Sequence, residues 1–227
     1  MKQDVFTYRL SLSGRPVGTQ TLTTQRQGRL SILGAKLMLQ GAFGNATVTQ
    51  TSRYHEENEV SLNFSEETQE RSGKRSFDVV FDDKSGLVKA SKGSDKSEIP
   101  LAQPYLDPLS LLHRLRQGFE GDSLKVPMLG KNVTIERLGE RELESPLGTH
   151  QTQLYALRPG RNVVYVDKAK PHHILLMTQI VDAQQLDAQL VQVAVEDAPT
   201  PKRDNRKRKS RRRRRRRRSG SGGGNRS

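Results

Sequence analysis

The sequence predicts an all-β, mainly antiparallel domain, a curved sheet or barrel with one short amphipathic helix, followed by a disordered basic tail. Three observations carry that expectation. Apolar and polar residues alternate over most of residues 6–195, which is the period of a strand with one face in a core. A single stretch, "LDPLSLLHRLRQG", breaks to helical spacing. From residue 201 onward the hydrophobic set disappears and arginine takes over.

In chain order, Phe6, Tyr8, Leu10 and Leu12 alternate with Thr7, Arg9 and Ser11, and after "SGRPVG" the run 19–24 resumes the extended pattern, which reads as a hairpin. Further strands are expected at 30–39, 43–51, 54–64, 75–81 and 87–90. Gly28, Gly41, "EEN", "SEE", Gly73 and "DDKSG" mark the turns. In the helical stretch Asp107 fits an N-cap, Pro108 the first turn, and Gly118 a C-terminal stop. Leu109, Leu112 and Leu115, joined by Leu111, make one apolar stripe flanked by His113, Arg114 and Arg116. Such a stripe plugs the end of a barrel or covers a curved sheet, and docking a partner is the other use open to it.

Strands resume at 124–128, 132–137, 149–157, 162–167, 173–181 and 186–195. About a dozen strands without βαβ alternation argue for an antiparallel barrel or sandwich, and closure would remove the exposed edges of an open sheet. "PVGTQ" at 16–20 and "PLGTH" at 146–150 echo each other, a trace of duplication or simply what a tight turn into a strand selects.

Charge divides the chain in two. Residues 1–200 hold 24 basic and 24 acidic side chains, whereas 201–227 hold fifteen basic and one acidic. The whole net charge of +14 therefore belongs to the tail. The expected organisation is a β-barrel-like domain over 1–198 and a disordered tail over 199–227, because a segment without apolar side chains cannot offset roughly 1–2 kcal/mol of backbone entropy per ordered residue. Cysteine is absent, which excludes disulfides and thiolate zinc sites. The N-terminus enters the alternating pattern directly and no segment approaches a membrane span of ~20 apolar residues, so a cytoplasmic protein is expected.

Tyr8, Gly18-Thr19, "DPLSLLHRLRQG", "SPLGTHQTQLY" and "VYVDKAKPHHILLM" stand in an order that resembles an uncharacterised bacterial domain-of-unknown-function family. Its members look like lipocalin-type or lipoprotein-carrier-type curved sheets. The resemblance implies a lipocalin-like barrel and a cavity for an apolar ligand. Members of this kind are commonly exported; the directly entered N-terminus and the arginine tail depart from that pattern.

No reaction is legible. There is no "GxSxG" elbow and no phosphate-cradling loop, and adjacent His172 and His173, which would point to opposite faces of a strand, read as an exposed turn or strand-edge pair after Pro171, so no catalytic residue, metal ligand or cofactor is expected. An enzymatic reading would require His113 or His150 to face an acid across a cavity. The tail supplies the sharper expectation. Lys202, Arg203, Arg206, Lys207, Arg208, Lys209, Arg211, Arg212, Arg213, Arg214, Arg215, Arg216, Arg217 and Arg218 concentrate cation on one segment. Guanidinium forks onto phosphate oxygens and stacks on unpaired bases. Sequence-independent binding of RNA or DNA follows as the expected function, with an apolar-ligand carrier barrel as the alternative. Anionic lipid, a localisation address and simple solubilisation suit the same composition.

Overall fold

The computed structural model describes residues 1–41, 44–101, 104–129, 131–181 and 183–198. The elements are β1 (Lys2–Leu12), β2 (Arg15–Gln27), β3 (Leu30–Leu39), β4 (Ala46–His55), β5 (Val60–Glu70), β6 (Gly73–Asp82), β7 (Leu87–Lys92) and β8 (Asp95–Pro100). Helix α1 (Pro108–Gln117) follows, then β9 (Ser123–Met128), β10 (Lys131–Ser145), β11 (Gly148–Arg158), β12 (Asn162–Asp167), β13 (Ile174–Val181) and β14 (Gln184–Asp197). All fourteen strands form one sheet in the order β8-β7-β6-β5-β4-β3-β2-β1-β14-β13-β12-β11-β10-β9. Every neighbouring pair is antiparallel, and β1 beside β14 joins the two ends of the meander.

The sheet is curled and does not close, which corrects the expectation that closure removes its edges. β8 and β9 are its two margins. Between them the chain leaves the sheet to build α1, and two residues before the helix make a narrow stitch instead of a strand. Tyr105 bridges to Val60 of β5, with Ser61 N–H donating to Tyr105 O at 2.9 Å. Leu106 bridges to Met128 of β9, its N–H donating to Pro127 O at 3.1 Å. Pro127 lacks an N–H, so an otherwise unpaired strand is where it fits. The opposite margin, β8, reads "DKSEIP" and is protected by exposed charge.

Period-two alternation locates the core on the concave face. Tyr8, Leu10, Tyr54, Phe64, Ile135 and Leu190 are among the most deeply buried side chains. Tyr8 Oη donates to Ile174 O at 3.0 Å, so its burial leaves no unmet polar group. One backbone approach requires glycine: Gly18 has φ +152°, and a Cβ there would lie 2.0 Å from Met38 O. It follows the register shift that separates the Pro16 pairing from the Gly18 pairing in β2, whereas Gly148 opens β11. The "PxGT" echo therefore marks two hairpins.

Several expected boundaries move. The run 54–64 contains the β4–β5 turn at "EEN", whereas "SEE" lies inside β5. There Glu67 pairs with Lys74 at 2.6 Å and Glu66 accepts from Gln50 at 2.7 Å, so these carboxylates decorate a ladder and mark no turn. β8 has too little alternation to reveal it, and β10 runs on through "LGERELES", where most side chains are exposed. β13 starts at Ile174, one residue later than expected, and His172 and His173 lie before it as the turn reading after Pro171 has them, with His172 at φ +59°.

Helix α1 is fastened by a buried polar knot. Asp107 is the N-cap and fully buried, with Oδ1 accepting from Leu109 N–H at 2.8 Å and Ser110 N–H at 3.1 Å. Its Oδ2 accepts from Ser52 Oγ of β4 at 2.6 Å. The Asp107 N–H lies 3.1 Å from Ser61 Oγ of β5 and 2.8 Å from Ser110 Oγ, and those hydroxyls are 2.8 Å apart. Burial pushes the Asp107 pKa up despite these donors from Ser52, Ser61 and the helix amides. Asp107→Ala is expected to lower the unfolding free energy by about 2–4 kcal/mol in urea titrations, combining a lost cap with orphaned hydroxyls. Because the folded-state pKa is raised, this group favours folding most below its unfolded value near about pH 4 and loses that contribution as pH rises through the folded value. Asp107→Asn removes the dependence, so its stability relative to the native chain should improve with rising pH.

Candidate functional site: an apolar cavity with a charged mouth

The curl leaves space between α1 and the sheet. A cavity of ≈ 450 Å³ is bounded by Leu10, Leu37, Leu39, Leu109, Leu112, Met128, Met177 and Leu186, among others. Several of these, including Leu37, Leu112, Met128, Met177 and Leu186, are only partly buried although they pack on the core. Their free surface faces this space. Gln20, Gln50, Asn162 and Gln179 supply a few polar groups to the same wall. A mainly apolar concavity of this size with scattered hydrogen-bonding groups is the usual form of a small-molecule site.

At the other end of the helix lies a charged mouth of ≈ 480 Å³ lined by Lys2, Asp4, Arg26, Glu56, His113 and Arg116, with Ser31, Thr24 and His172. Ser31 Oγ donates to Glu56 Oε1 in a short contact, His113 Nε2 lies 3.4 Å from the same oxygen, and Arg26 lies 3.8 Å from Oε2. Burial alone would raise the Glu56 pKa. The Ser31 hydroxyl, His113 and Arg26 outweigh it, so the Glu56 carboxyl is held below the usual carboxylate range. His113 is lowered too, by burial first and by Arg116. Arg116 Cζ lies over the Phe6 ring, 4.7 Å from its centroid, and the guanidinium donates to His172 O at 3.2 Å and Pro171 O at 3.4 Å.

The condition set for an enzymatic reading thus finds histidine–acid pairs. His113 faces Glu56, and His150 Nδ1 lies 2.8 Å from Asp167 Oδ2. The order of groups matters. Ser31 bonds to the carboxylate and not to the imidazole, so His113 does not take its proton. Asp167 is otherwise engaged as a turn anchor, accepting from Ala169 N–H at 2.9 Å through Oδ1. Among the described residues no group of three or more His, Cys, Asp or Glu side chains has the arrangement of a metal site.

The sequence-predicted phosphate-binding residues from Lys202 to Arg218 lie outside the described residues. The cavity was foreseen only through the family resemblance, and its charged mouth was not foreseen. The helix carries the missed signal: Leu109, Leu112, His113 and Arg116 share one face at i, i+3, i+4 and i+7.

This architecture defines a β-barrel-like protein with an apolar cavity against its helix. Residues 7–190 match DUF3108, described as a protein family of unknown function, and the chain belongs to that family. Among solved structures it is similar to a β-barrel-like protein of the domain of unknown function DUF1849 from Brucella abortus, with a TM-score of 0.59 and 10% identity, over 86% of this chain and 98% of that one. That likeness shows the fold alone. A search of curated proteins finds no match. Among the described residues no helix is long and apolar enough to cross a membrane.

His113 and His173 are both lowered, each by burial first and then by the Arg116 charge. A depressed histidine contributes stability above its unfolded pKa, near about pH 6.5, and loses it as pH falls through the folded value. Melting temperature should therefore fall between pH 7.5 and 5.5, and His113→Gln combined with His173→Gln should shrink that fall.

Proposed function

We propose that this chain is a non-enzymatic binding protein whose β-barrel-like body carries an apolar ligand. The observation that supports this reading is the cavity of ≈ 450 Å³ against α1, whose apolar lining retains surface that a packed core would bury. Fold analogy adds nothing to it, since one fold hosts many functions. The neutral fluorophore N-phenyl-1-naphthylamine is expected to show saturable enhancement with the native chain. Met177→Trp, which adds bulk to the lining, should abolish it while leaving the circular dichroism spectrum intact. An enhancement that never saturates, or one indifferent to Met177→Trp, would defeat the reading.

A second reading rests on the charge run alone. The fourteen bases from Lys202 to Arg218, on a chain whose remainder is neutral, support sequence-independent attachment to nucleic acid. Binding of single-stranded RNA and of duplex DNA, followed by fluorescence anisotropy, should weaken steeply with sodium chloride. With roughly eight phosphate contacts the loss between 50 and 200 mM is about 10³ or more. Replacing Arg211 through Arg218 by glycine and serine should remove most of the affinity and flatten the salt slope. Equal binding by the replaced chain would move the gripping surface into the body.

A further inference from the structure

The concave face changes chemistry in one direction along neighbouring strands. On β1 alternate positions run from Leu10 through Tyr8 and Phe6 to Asp4, and on β2 from Gln20 through Leu22 and Thr24 to Arg26. Register sets these changes side by side: Tyr8 is opposite Gln20, Phe6 opposite Leu22, and Asp4 opposite Thr24. On β3 the same rows continue, with Leu37 opposite Gln20 and Ser31 opposite Arg26. Helix α1 repeats the change from Leu109 to Arg116 over about 10 Å.

The spaces along this gradient adjoin. Between cavity and mouth lies a void of ≈ 30 Å³, room for one or two water-sized groups. Leu109 and Leu112 line both the cavity and this neck, while Thr24, His113 and Arg116 line both the neck and the mouth. The three spaces thus follow one another along α1 from apolar wall to charge.

The charges in the mouth are not equally engaged. Lys2 pairs with Asp197 at 3.0 Å, and Glu56 is held by Ser31, His113 and Arg26. Arg116 differs. Its two acceptors are neutral carbonyls, its Cζ lies over the Phe6 ring, and among the described residues no carboxylate forms an ion pair with it. A half-buried guanidinium whose nearest carboxylate, Asp4, acts on it through space without an ion pair keeps forked donors to offer an incoming oxyanion.

We infer that the ligand is a single-chain anionic amphiphile, its chain in the cavity along Leu109 and Leu112 and its oxyanion head at Arg116. The inference rests on the carrier reading of the body and adds the class of head group. Calorimetry on the full chain, below micellar concentrations, compares decanoate, decyl phosphate and decanol. The two anions are expected to bind on the order of tenfold or more tightly than decanol, and the tighter of them identifies the head as carboxylate or phosphate. Arg116→Gln should erase that preference while leaving decanol binding unchanged; the basic tail is common to both chains and cancels in the comparison. A mutation-independent measurement is the Arg116 Nε–H resonance of the native chain, which should shift with decanoate and not with decanol. Decanol binding as tightly as the anions, or an unmoved resonance, overturns the head-group assignment alone. Binding of none of the three overturns the carrier reading beneath it.

Discussion

The buried Asp107 knot is the constraint on which the rest of the body depends. A curled antiparallel sheet left open at one seam has no reason of its own to hold a helix inside it. The carboxylate ties the first turn of α1 to Ser52 on β4, and the Asp107 amide ties it to Ser61 on β5. Immediately upstream, Tyr105 and Leu106 stitch β5 to β9. One six-residue neighbourhood thus sets both the width of the curl and the depth of the helix. A buried carboxylate with several donors is costly to leave unpaired, and that cost makes the geometry specific.

Once α1 is fixed at its N-terminus, the opposite end of the helix falls where the inward positions of β1 to β4 turn polar. Antiparallel register makes this a property of rows and not of single residues, because each hydrogen-bonded row crosses several strands. Phe6, Leu22 and Ala35 share one row, whereas Arg26 and Ser31 share another nearer the mouth. The hairpin turns alternate between the two ends, so a polarity difference between rows becomes a difference between the ends of the interior. Arg114 and Arg116 in the last helical turn are also suited to its negative dipole end, which gives cation at that position a structural use beside any binding one.

Strand periodicity was legible wherever one face met the core and fell silent where neither did. Phe6 to Leu12 declared β1 plainly, and Asp107, Pro108 and Gly118 declared both ends of α1. β8 and the outer half of β10 are mostly exposed, with Ile99 and Leu143 the apolar residues that reach the core, so alternation had little to report. "SEE" imitated a turn because carboxylates suit turns and solvated ladders alike. The mouth was illegible for a different reason. Arg26, Glu56 and Arg116 are far apart in sequence, and only the register of β2 to β5 with the placement of α1 brings them together. Closure was expected because open edges invite association, yet a charged β8 and a two-residue stitch on β9 manage the same hazard without a continuous ladder.

The cavity itself bears on what the body is for. Were ≈ 450 Å³ a sealed, dry defect, the mutational scale of about 24 cal/mol per Å³ would set its cost near 10 kcal/mol, comparable to the whole stability of an ordinary domain. A fold does not retain such a void empty. Gln20, Gln50, Asn162 and Gln179 give solvent a foothold, while the leucines and methionines around them give water little to bond. Water held against such a wall is readily displaced by an apolar chain, and flexible methionines at Met128 and Met177 let the wall adjust to its shape. The body is neutral overall, so on the carrier reading any selectivity inside the curl comes from contact: apolar area along Leu109 and Leu112 and the Arg116 guanidinium beyond them.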